Sequence, residues 1–192
     1  DANIAFLFAP DHHPKLAYVG PIRRELGFGT AFNLLGPLCN PAGAKKQLLG
    51  VYRPELLFAV AESLEELGSE AAWVIHGKGG LDEAVLHGET KVVELKNGVI
   101  REFIITPEDA GLNEAPLSAL KGGDAKFNAA ALKALLNGEK SPYRDAVVLN
   151  AACALVMAGY ADDLKMGAEI AASSIDTGCA LQSFETLIAI NQ

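Results

Sequence analysis

The chain has 192 residues, of which 50% are hydrophobic and 21% are charged. This length and composition fit one folded domain with a substantial core and exclude a disordered chain. The net charge of −8 argues against nucleic-acid binding, which relies on basic groups that displace counterions from phosphates. Small phosphorylated ligands stay open, because a metal ion and a few local donors can hold them. No apolar run has the length needed to cross a bilayer, so no membrane partner is expected.

The first segments along the chain predict a parallel sheet. Three continuous apolar runs, bounded by Pro, Gly or charged residues, are typical of strands that are covered on both faces. Residues 54–68 carry Pro at the first helical position, an apolar stripe and Gly at the C-terminal cap, so a helix is expected there. Strand, helix and strand in this order predict a right-handed βαβ unit. The three runs are NIAFLFA (3–9), KQLLGVY (46–52) and AAWVIH (71–76).

The later segments predict a hairpin followed by helices. Residues 90–105 are predicted to form a hairpin, whose two strands are joined by Asn97-Gly98 as a two-residue turn of type I′. Asp124 and the pair Ser141-Pro142 are suited to begin two helices, the second of which is apolar on most faces. The expected fold is therefore α/β, with a mostly parallel sheet flanked by helices, a β-hairpin and a helical C-terminal half. Two further helices are expected over about 163–177 and 179–190.

The three cysteines, Cys39, Cys153 and Cys179, are widely spaced and form no CxxC pair. Their apolar surroundings predict reduced core thiols in a cytoplasmic protein. The chain begins with Asp1 and runs directly into an apolar segment. We therefore expect residues 1–192 to form a single α/β domain that is incomplete at its N-terminal side.

Two acids, Asp82 and Glu83, stand side by side after the third predicted strand. Ligands of open parallel sheets bind beyond the carboxyl ends of the strands, so His12-His13, after the first predicted strand, is expected at the same edge. Gly79-Gly80 gives the backbone freedom to turn neighbouring carboxylates toward one ion, and hard oxygen ligands suit Mg²⁺ shared with substrate phosphates. A surface turn with an Asx cap explains the same residues, and the local sequence slightly favours the turn over the metal site.

Arg23 and His13 are candidate ligand contacts. If residues 18–26 form a helix, Arg23 lies beside Val19 at the edge of its apolar face. A half-buried guanidinium pairs with a carboxylate or phosphate of a ligand, or with an acid elsewhere in the protein. His13 is either a polar ligand contact or a loop residue bonded to the backbone. A metal role for the adjacent histidines is disfavoured.

Two further segments contain glycine in loops. In NLLGPLCNP (33–41), Gly36 and Pro37 make a rigid segment that lets the backbone approach a flat ligand closely, although an ordinary packed loop has the same composition. LKGGD (120–124) looks like a phosphate-binding loop. It lacks the Lys-Ser/Thr pair and does not follow a strand, so we predict that it is the start of a helix capped by Asp124.

Six segments resemble the anthranilate phosphoribosyltransferase family in order and spacing, over essentially the whole chain. The family joins a small helical N-terminal domain to a large α/β domain of the nucleoside-phosphorylase class II type. The resemblance implies transfer of the 5-phosphoribosyl group of phosphoribosyl diphosphate to the amino nitrogen of anthranilate, with Mg²⁺, in tryptophan biosynthesis. The segments are NIAFLFAPDHHP, PIRRELG, FNLLGPLCNPAG, QLLGVY, VIHGKGGLDE and LKGGDAKFNAAAL.

The resemblance also implies site residues. Asp82 and Glu83 match the pair that binds the second magnesium ion on the diphosphate. Displacement at the anomeric carbon then passes through an oxocarbenium-like transition state that the site stabilises electrostatically. No residue is assigned a catalytic role.

The anthranilate side of the site is implied in the same way. Arg23 matches the arginine that meets the anthranilate carboxylate, and His13 matches a histidine that lines the anthranilate channel. Gly36 and Pro37 match the rigid loop in the wall of that channel. The substrates expected as partners are therefore phosphoribosyl diphosphate and anthranilate.

The chain departs from the family pattern in two respects. The family's GTGGD, NxS/TT and KHGNR segments, which hold most of the phosphoribosyl diphosphate, and its helical domain are absent from these 192 residues. Gly29 stands where the family usually has arginine. We expect this chain alone to be inactive and the full-length protein to be a homodimer, since family dimers pair through the helical domain.

Three other functions stay open at this point. A class II pyrimidine nucleoside phosphorylase would share the fold, but GLDE (80–83) and the surroundings of Arg23 disfavour it. A nucleic-acid-binding relative would carry a basic surface and a degraded acidic pair, whereas this chain has a pI of about 5.0 and keeps both acids. The chain could also be half of a split enzyme.

Overall fold

The computed structural model describes residues 2–12, 18, 25 and 36–191. None of the helices in these ranges is long and apolar enough to span a membrane. Short 3-10 turns occupy Pro54–Leu56, Pro107–Ala110 and Leu117–Leu120. The helices and strands are α1 (Ala9–His12), β1 (Lys46–Gly50), α2 (Leu57–Glu66), β2 (Ala71–Gly77), β3 (Thr90–Lys96), β4 (Val99–Ile105), α3 (Ala125–Leu136), α4 (Pro142–Ala158), α5 (Leu164–Asp176) and α6 (Cys179–Ile190).

The sheet of the described residues is mixed, with the strand order β1-β2-β3-β4. β1 and β2 run parallel, as predicted, whereas β2 with β3 and β3 with β4 are antiparallel. The predicted mostly parallel sheet is therefore wrong for these residues. The reason is that the loop after β2 turns the chain back, so that β3 pairs along the whole length of β2. The hairpin then places β4 antiparallel to β3.

The first predicted strand, residues 3–9, is also wrong. Residues 4–8 have no regular structure and are exposed, and α1 begins at Ala9. An apolar run becomes a strand only where a neighbouring strand supplies partners for its backbone N–H and C=O groups. Within the described residues this run has no such neighbour.

The other predicted elements are confirmed. Asn97 and Gly98 both have positive φ, 52° and 74°, as the predicted hairpin turn requires. Ser141 Oγ accepts a hydrogen bond from Arg144 N at 3.3 Å, and Pro142 opens α4. The two C-terminal helices begin and end within a residue or so of their expected positions.

Helices cover both faces of the sheet, because side chains alternate between the faces along each strand. Ala72 and Val74 of β2 face α2 in one hydrophobic cluster. Trp73 and Ile75 belong to a second cluster, on the face covered by α4 and its neighbours. α2 and α4 therefore lie on opposite faces of β2.

The predicted core thiols are confirmed for one cysteine only. Cys153 is buried in α4, and burial raises the pKa of its thiol to about 12. Cys39 and Cys179 are exposed, so the prediction is wrong for them. All three are free thiols.

Candidate functional site

The loop over residues 78–89, which we call the acidic loop, begins with a tight glycine turn at the end of β2. Gly77 N donates a hydrogen bond to Leu81 O at 2.8 Å, and Leu81 N donates to Gly77 O at 3.3 Å. Between them Gly79 and Gly80 have φ of +86° and +84°, a left-handed conformation that side chains other than glycine rarely adopt. The predicted backbone freedom at Gly79-Gly80 is confirmed, and the acidic pair follows directly after this turn.

Two further glycines let the acidic pair lie directly against the ends of the strands. A Cβ atom at Gly50, the last residue of β1, would lie 1.6 Å from the carbonyl oxygen of Asp82. A Cβ atom at Gly77, the last residue of β2, would lie 2.5 Å from the carbonyl oxygen of Glu83. Only glycine leaves room for these contacts. Asp82 and Glu83 therefore lie beyond the carboxyl ends of the two parallel strands, as predicted.

Hydrogen bonds fix the backbone on the other side of the pair. The Asn150 side chain of α4 donates from Nδ2 to Ala84 O at 2.9 Å and accepts from Ala84 N at Oδ1 at 3.0 Å. Val85 N donates to Thr90 Oγ1 at 3.1 Å. Residues 84–86 are buried, so the loop is seated in the domain immediately after Glu83.

The two ends of the acidic loop are tied to each other. Lys78 N donates to Glu89 O at 3.0 Å. His87 Nε2 donates to Lys78 O at 2.9 Å. Hydrogen bonds therefore hold the two ends of the acidic loop together.

The carboxylates themselves are left free. Asp82 and Glu83 are exposed, and neither side chain forms a hydrogen bond or ion pair with any residue that the structure describes. The Asx cap that the sequence left open is therefore not formed within those residues. The fixed backbone and free side chains are what a ligand-binding pair needs.

The pair alone does not complete a metal site. Among the residues that the structure describes, no group of three or more His, Cys, Asp or Glu side chains is placed to hold a metal ion. Two carboxylates without a third protein ligand suit Mg²⁺, which keeps several waters and takes further oxygens from substrate phosphates. The residues present therefore fit a shared magnesium ion and do not fit a closed structural site.

The structure places only part of the predicted site. His13, Arg23 and Gly29 lie outside the described residues, so their roles stay predictions. Gly36 is half-buried and Pro37 is exposed. A Cβ atom at Gly36 would meet nothing within 4 Å, so the described residues give no reason for glycine at that position.

Three residues that the sequence reasoning missed hold the acidic pair: Gly50, Gly77 and Asn150. The sequence carried a signal for each. Gly50 lies inside the predicted strand 46–52 and Gly77 directly follows the predicted strand 71–76. Glycine within or beside a strand often marks a close backbone approach. Asn150 is a polar residue in the middle of an apolar helix, where a buried amide needs hydrogen-bond partners.

Comparisons with known proteins identify the relatives of this chain. The family model described as "Glycosyl transferase family, a/b domain" matches residues 1–181. The anthranilate phosphoribosyltransferases of Rhodopseudomonas palustris strain HaA2 and of Methylocella silvestris are both 55% identical, over 100% and 97% of this chain. These matches cover 56% and 54% of the relatives. The chain thus spans about half the length of the curated relatives it matches.

Solved structures show the same fold. The anthranilate phosphoribosyltransferase from Thermus thermophilus matches with a TM-score of 0.90 and 46% identity, over 98% of this chain and 56% of that chain. The enzyme from Saccharomyces cerevisiae in complex with phosphoribosyl diphosphate (PRPP) and Mg matches with a TM-score of 0.85 and 32% identity, over 92% and 51%. The resemblance seen in the sequence is confirmed. Because the family model matches almost the whole length of this chain, the chain belongs to the glycosyl transferase family and carries its α/β domain.

Proposed function

We propose that this chain is the α/β part of an anthranilate phosphoribosyltransferase of tryptophan biosynthesis. The observation that carries the proposal is the exposed pair Asp82-Glu83 at the ends of two parallel strands, without a side-chain partner among the described residues, in a chain 55% identical throughout to such an enzyme. In the reaction, the amino nitrogen of anthranilate bonds to the anomeric carbon of PRPP and loses a proton. The bond from that carbon to the diphosphate oxygen breaks, and diphosphate leaves with the electron pair.

Asp82 and Glu83 would hold Mg²⁺, which supplies charge neutralisation for the departing diphosphate when it is bound. Solved structures of the S. cerevisiae enzyme contain Mg, one of them with PRPP. The protein's own contribution is to hold both carboxylates at the sheet edge before the substrate arrives. Groups fixed in advance stabilise developing charge without reorganising during the reaction.

The anthranilate side of the proposal depends on residues matched by sequence. Arg23 would receive the anthranilate carboxylate, because its planar fork of donors matches two oxygens. His13, Gly36 and Pro37 would line the anthranilate channel. An S. cerevisiae enzyme in complex with 4-fluoroanthranilate supports this class of ligand. The full-length protein would be a homodimer.

The test is an assay of the complete protein in which this chain occurs. With Mg²⁺ and PRPP, it should consume anthranilate, and the loss of anthranilate fluorescence measures this consumption. Chelation of Mg²⁺ should stop the reaction. Thymidine with phosphate serves as the control substrate. Phosphorolysis of thymidine without use of anthranilate would overturn the proposal.

A second measurement concerns the 192 residues alone. They lack the GTGGD and KHGNR segments, so we expect isothermal titration with Mg²⁺ and PRPP to detect only weak binding. Micromolar affinity would contradict this and would show those segments to be dispensable for binding.

A further inference from the structure

Asn150 links the central helix α4 to the acidic loop across 66 positions of the chain. Its side chain uses the acceptor Oδ1 for Ala84 N and the donor Nδ2 for both Ala84 O and Ala146 O, the latter at 3.0 Å. The amide is half-buried. Two of its three bonds satisfy the N–H and C=O groups of Ala84, which lies one residue after Glu83.

The bond to Ala84 N holds the peptide plane between Glu83 and Ala84. The atoms from Glu83 Cα to Ala84 Cα lie close to one plane. At one edge of this plane the carbonyl oxygen of Glu83 lies against Gly77. At the opposite edge Ala84 N donates a hydrogen bond to Asn150. With both sides held, the Cα atom of Glu83 is fixed and only its side-chain torsions stay free.

We propose that Asn150 is a positioning residue for the acidic pair: it acts through the Glu83 backbone on the contact with Mg²⁺ and diphosphate, without touching either. This rests on the proposed function of Asp82 and Glu83. The contact requires both a donor and an acceptor on one side chain, and the amide of Asn150 supplies them on separate atoms for Ala84 O and Ala84 N. Groups that orient metal ligands in this way typically change metal affinity by about 10–100-fold when they are removed.

The chain offers a matched control in Asn128. Its Oδ1 accepts from Gly123 N at 2.9 Å and its Nδ2 donates to Gly123 O at 3.1 Å. It therefore makes the same two-bond amide contact with a loop backbone, at the start of α3. Asn128→Ala removes a comparable pair of bonds without touching the acidic loop.

The test compares Asn150→Ala with Asn128→Ala in the complete protein. Calorimetric titration of PRPP at fixed Mg²⁺, without anthranilate, measures binding in the absence of turnover. We expect Asn150→Ala to weaken Mg²⁺-dependent PRPP binding by about 10-fold or more and Asn128→Ala to leave it unchanged. Equal effects, or none from Asn150→Ala, would overturn the proposal. If Asn150→Ala fails to fold, Asn150→Leu keeps the side-chain volume without the hydrogen bonds and takes its place.

A double-mutant cycle with Glu83→Gln separates positioning from general stabilisation. If Asn150 acts through Glu83, Asn150→Ala should cause little further loss of binding once Glu83→Gln is present. If the fold-loss of affinity in the double variant equals the product of the two single losses, Asn150 acts independently of Glu83, which would overturn the inference. The cycle also tests the proposed function separately. If Glu83→Gln alone leaves Mg²⁺-dependent binding unchanged, the metal role of the pair fails; if it weakens binding and Asn150→Ala does not, only the positioning role fails.

Discussion

Two loops of this chain have similar sequences and different uses for their acids. The acidic loop begins with KGGLDE (78–83), and the loop before α3 contains LKGGD (120–124). Both combine paired glycines with acids, and both are held by an asparagine that forms two bonds with one backbone position. Asn150 holds Ala84, and Asn128 holds Gly123.

The two loops differ in the secondary structure beside their acids. Asp124 precedes a helix, and its Oδ1 accepts from Phe127 N at 2.7 Å, so its carboxylate satisfies one of the free N–H groups of the first turn. Asp82 and Glu83 come after a strand, and no described residue engages their side chains. The comparison teaches that paired glycines and an acid indicate a ligand site only where the acid is not needed by the protein itself.

The sharpest test of this comparison neutralises the acids. We expect Asp82→Asn or Glu83→Gln in the complete protein to lower kcat/KM for PRPP by about 100-fold, or roughly 2.7 kcal/mol, because charge on the leaving group is no longer offset. The free energy of unfolding should stay within about 0.5 kcal/mol, since both side chains are exposed. Asp124→Asn is the matched control. A comparable loss of activity in that control would break the distinction between the two loops.

The contact between β1 and the acidic loop can be tested with glycine. A Cβ at Gly50 would meet Asp82 backbone at 1.6 Å, whereas a Cβ at Gly122 would meet Asn128 Oδ1, the far end of a side chain, at 2.8 Å. We expect Gly50→Ala to lower the free energy of unfolding by about 1–3 kcal/mol and to weaken PRPP binding. Gly122→Ala should cost less than about 1 kcal/mol. Urea unfolding of both variants measures the difference, and equal losses would contradict the close approach.

Removing the helix cap should affect stability alone. Asp124→Ala leaves Phe127 N without its acceptor, so we expect a loss of about 1 kcal/mol in the free energy of unfolding. PRPP binding should be unchanged, because this carboxylate serves the helix. Denaturant unfolding and calorimetric titration together check the prediction, and weakened PRPP binding would show that this loop also contributes to the site.

Glu94 extends the comparison to a buried acid with protein partners. Its carboxylate accepts from Trp73 Nε1 at 2.9 Å and from Arg101 Nε. Burial raises the pKa of Glu94, but these hydrogen bonds and the charges of Arg101 and Lys96 outweigh it, so the pKa lies below its ordinary value of 4.5.

This shift has a defined pH dependence. As the pH falls, the Glu94 carboxylate is protonated at a higher pH in the unfolded chain than in the folded chain. The stabilisation is therefore present above pH 4.5 and is lost as the pH falls through the folded-state pKa. Glu94→Gln should flatten this part of the stability profile. Urea unfolding between about pH 3 and pH 6 measures it, and an unchanged acid limb would show that other carboxyls determine it.

Much of the fold was predictable because its signals are local. The hairpin turn, the helix caps at Asp124 and Ser141 and the strands β1 and β2 each depend on neighbouring residues. The direction of β3 depends on which strand it pairs with, and the fate of residues 3–9 depends on whether a partner strand is present. Neither is encoded within the segment, so both predictions failed.

The candidate site divides in the same way. The position of Asp82 and Glu83 followed from the end of a strand and a glycine turn. Their support did not, because Gly50 and Asn150 are distant in sequence and meet the loop only in the folded chain. The metal role of the pair is proposed from the resemblance to a family, because local patterns do not assign it.

The bond between Asn150 and Ala84 also has a consequence for folding. The acidic loop can be seated only after β1 and β2 have paired and α4 has docked, because its supports come from all three. A short peptide containing Asp82 and Glu83 would therefore not reproduce the arrangement. During synthesis, α4 must therefore leave the ribosome before the two carboxylates reach their final positions.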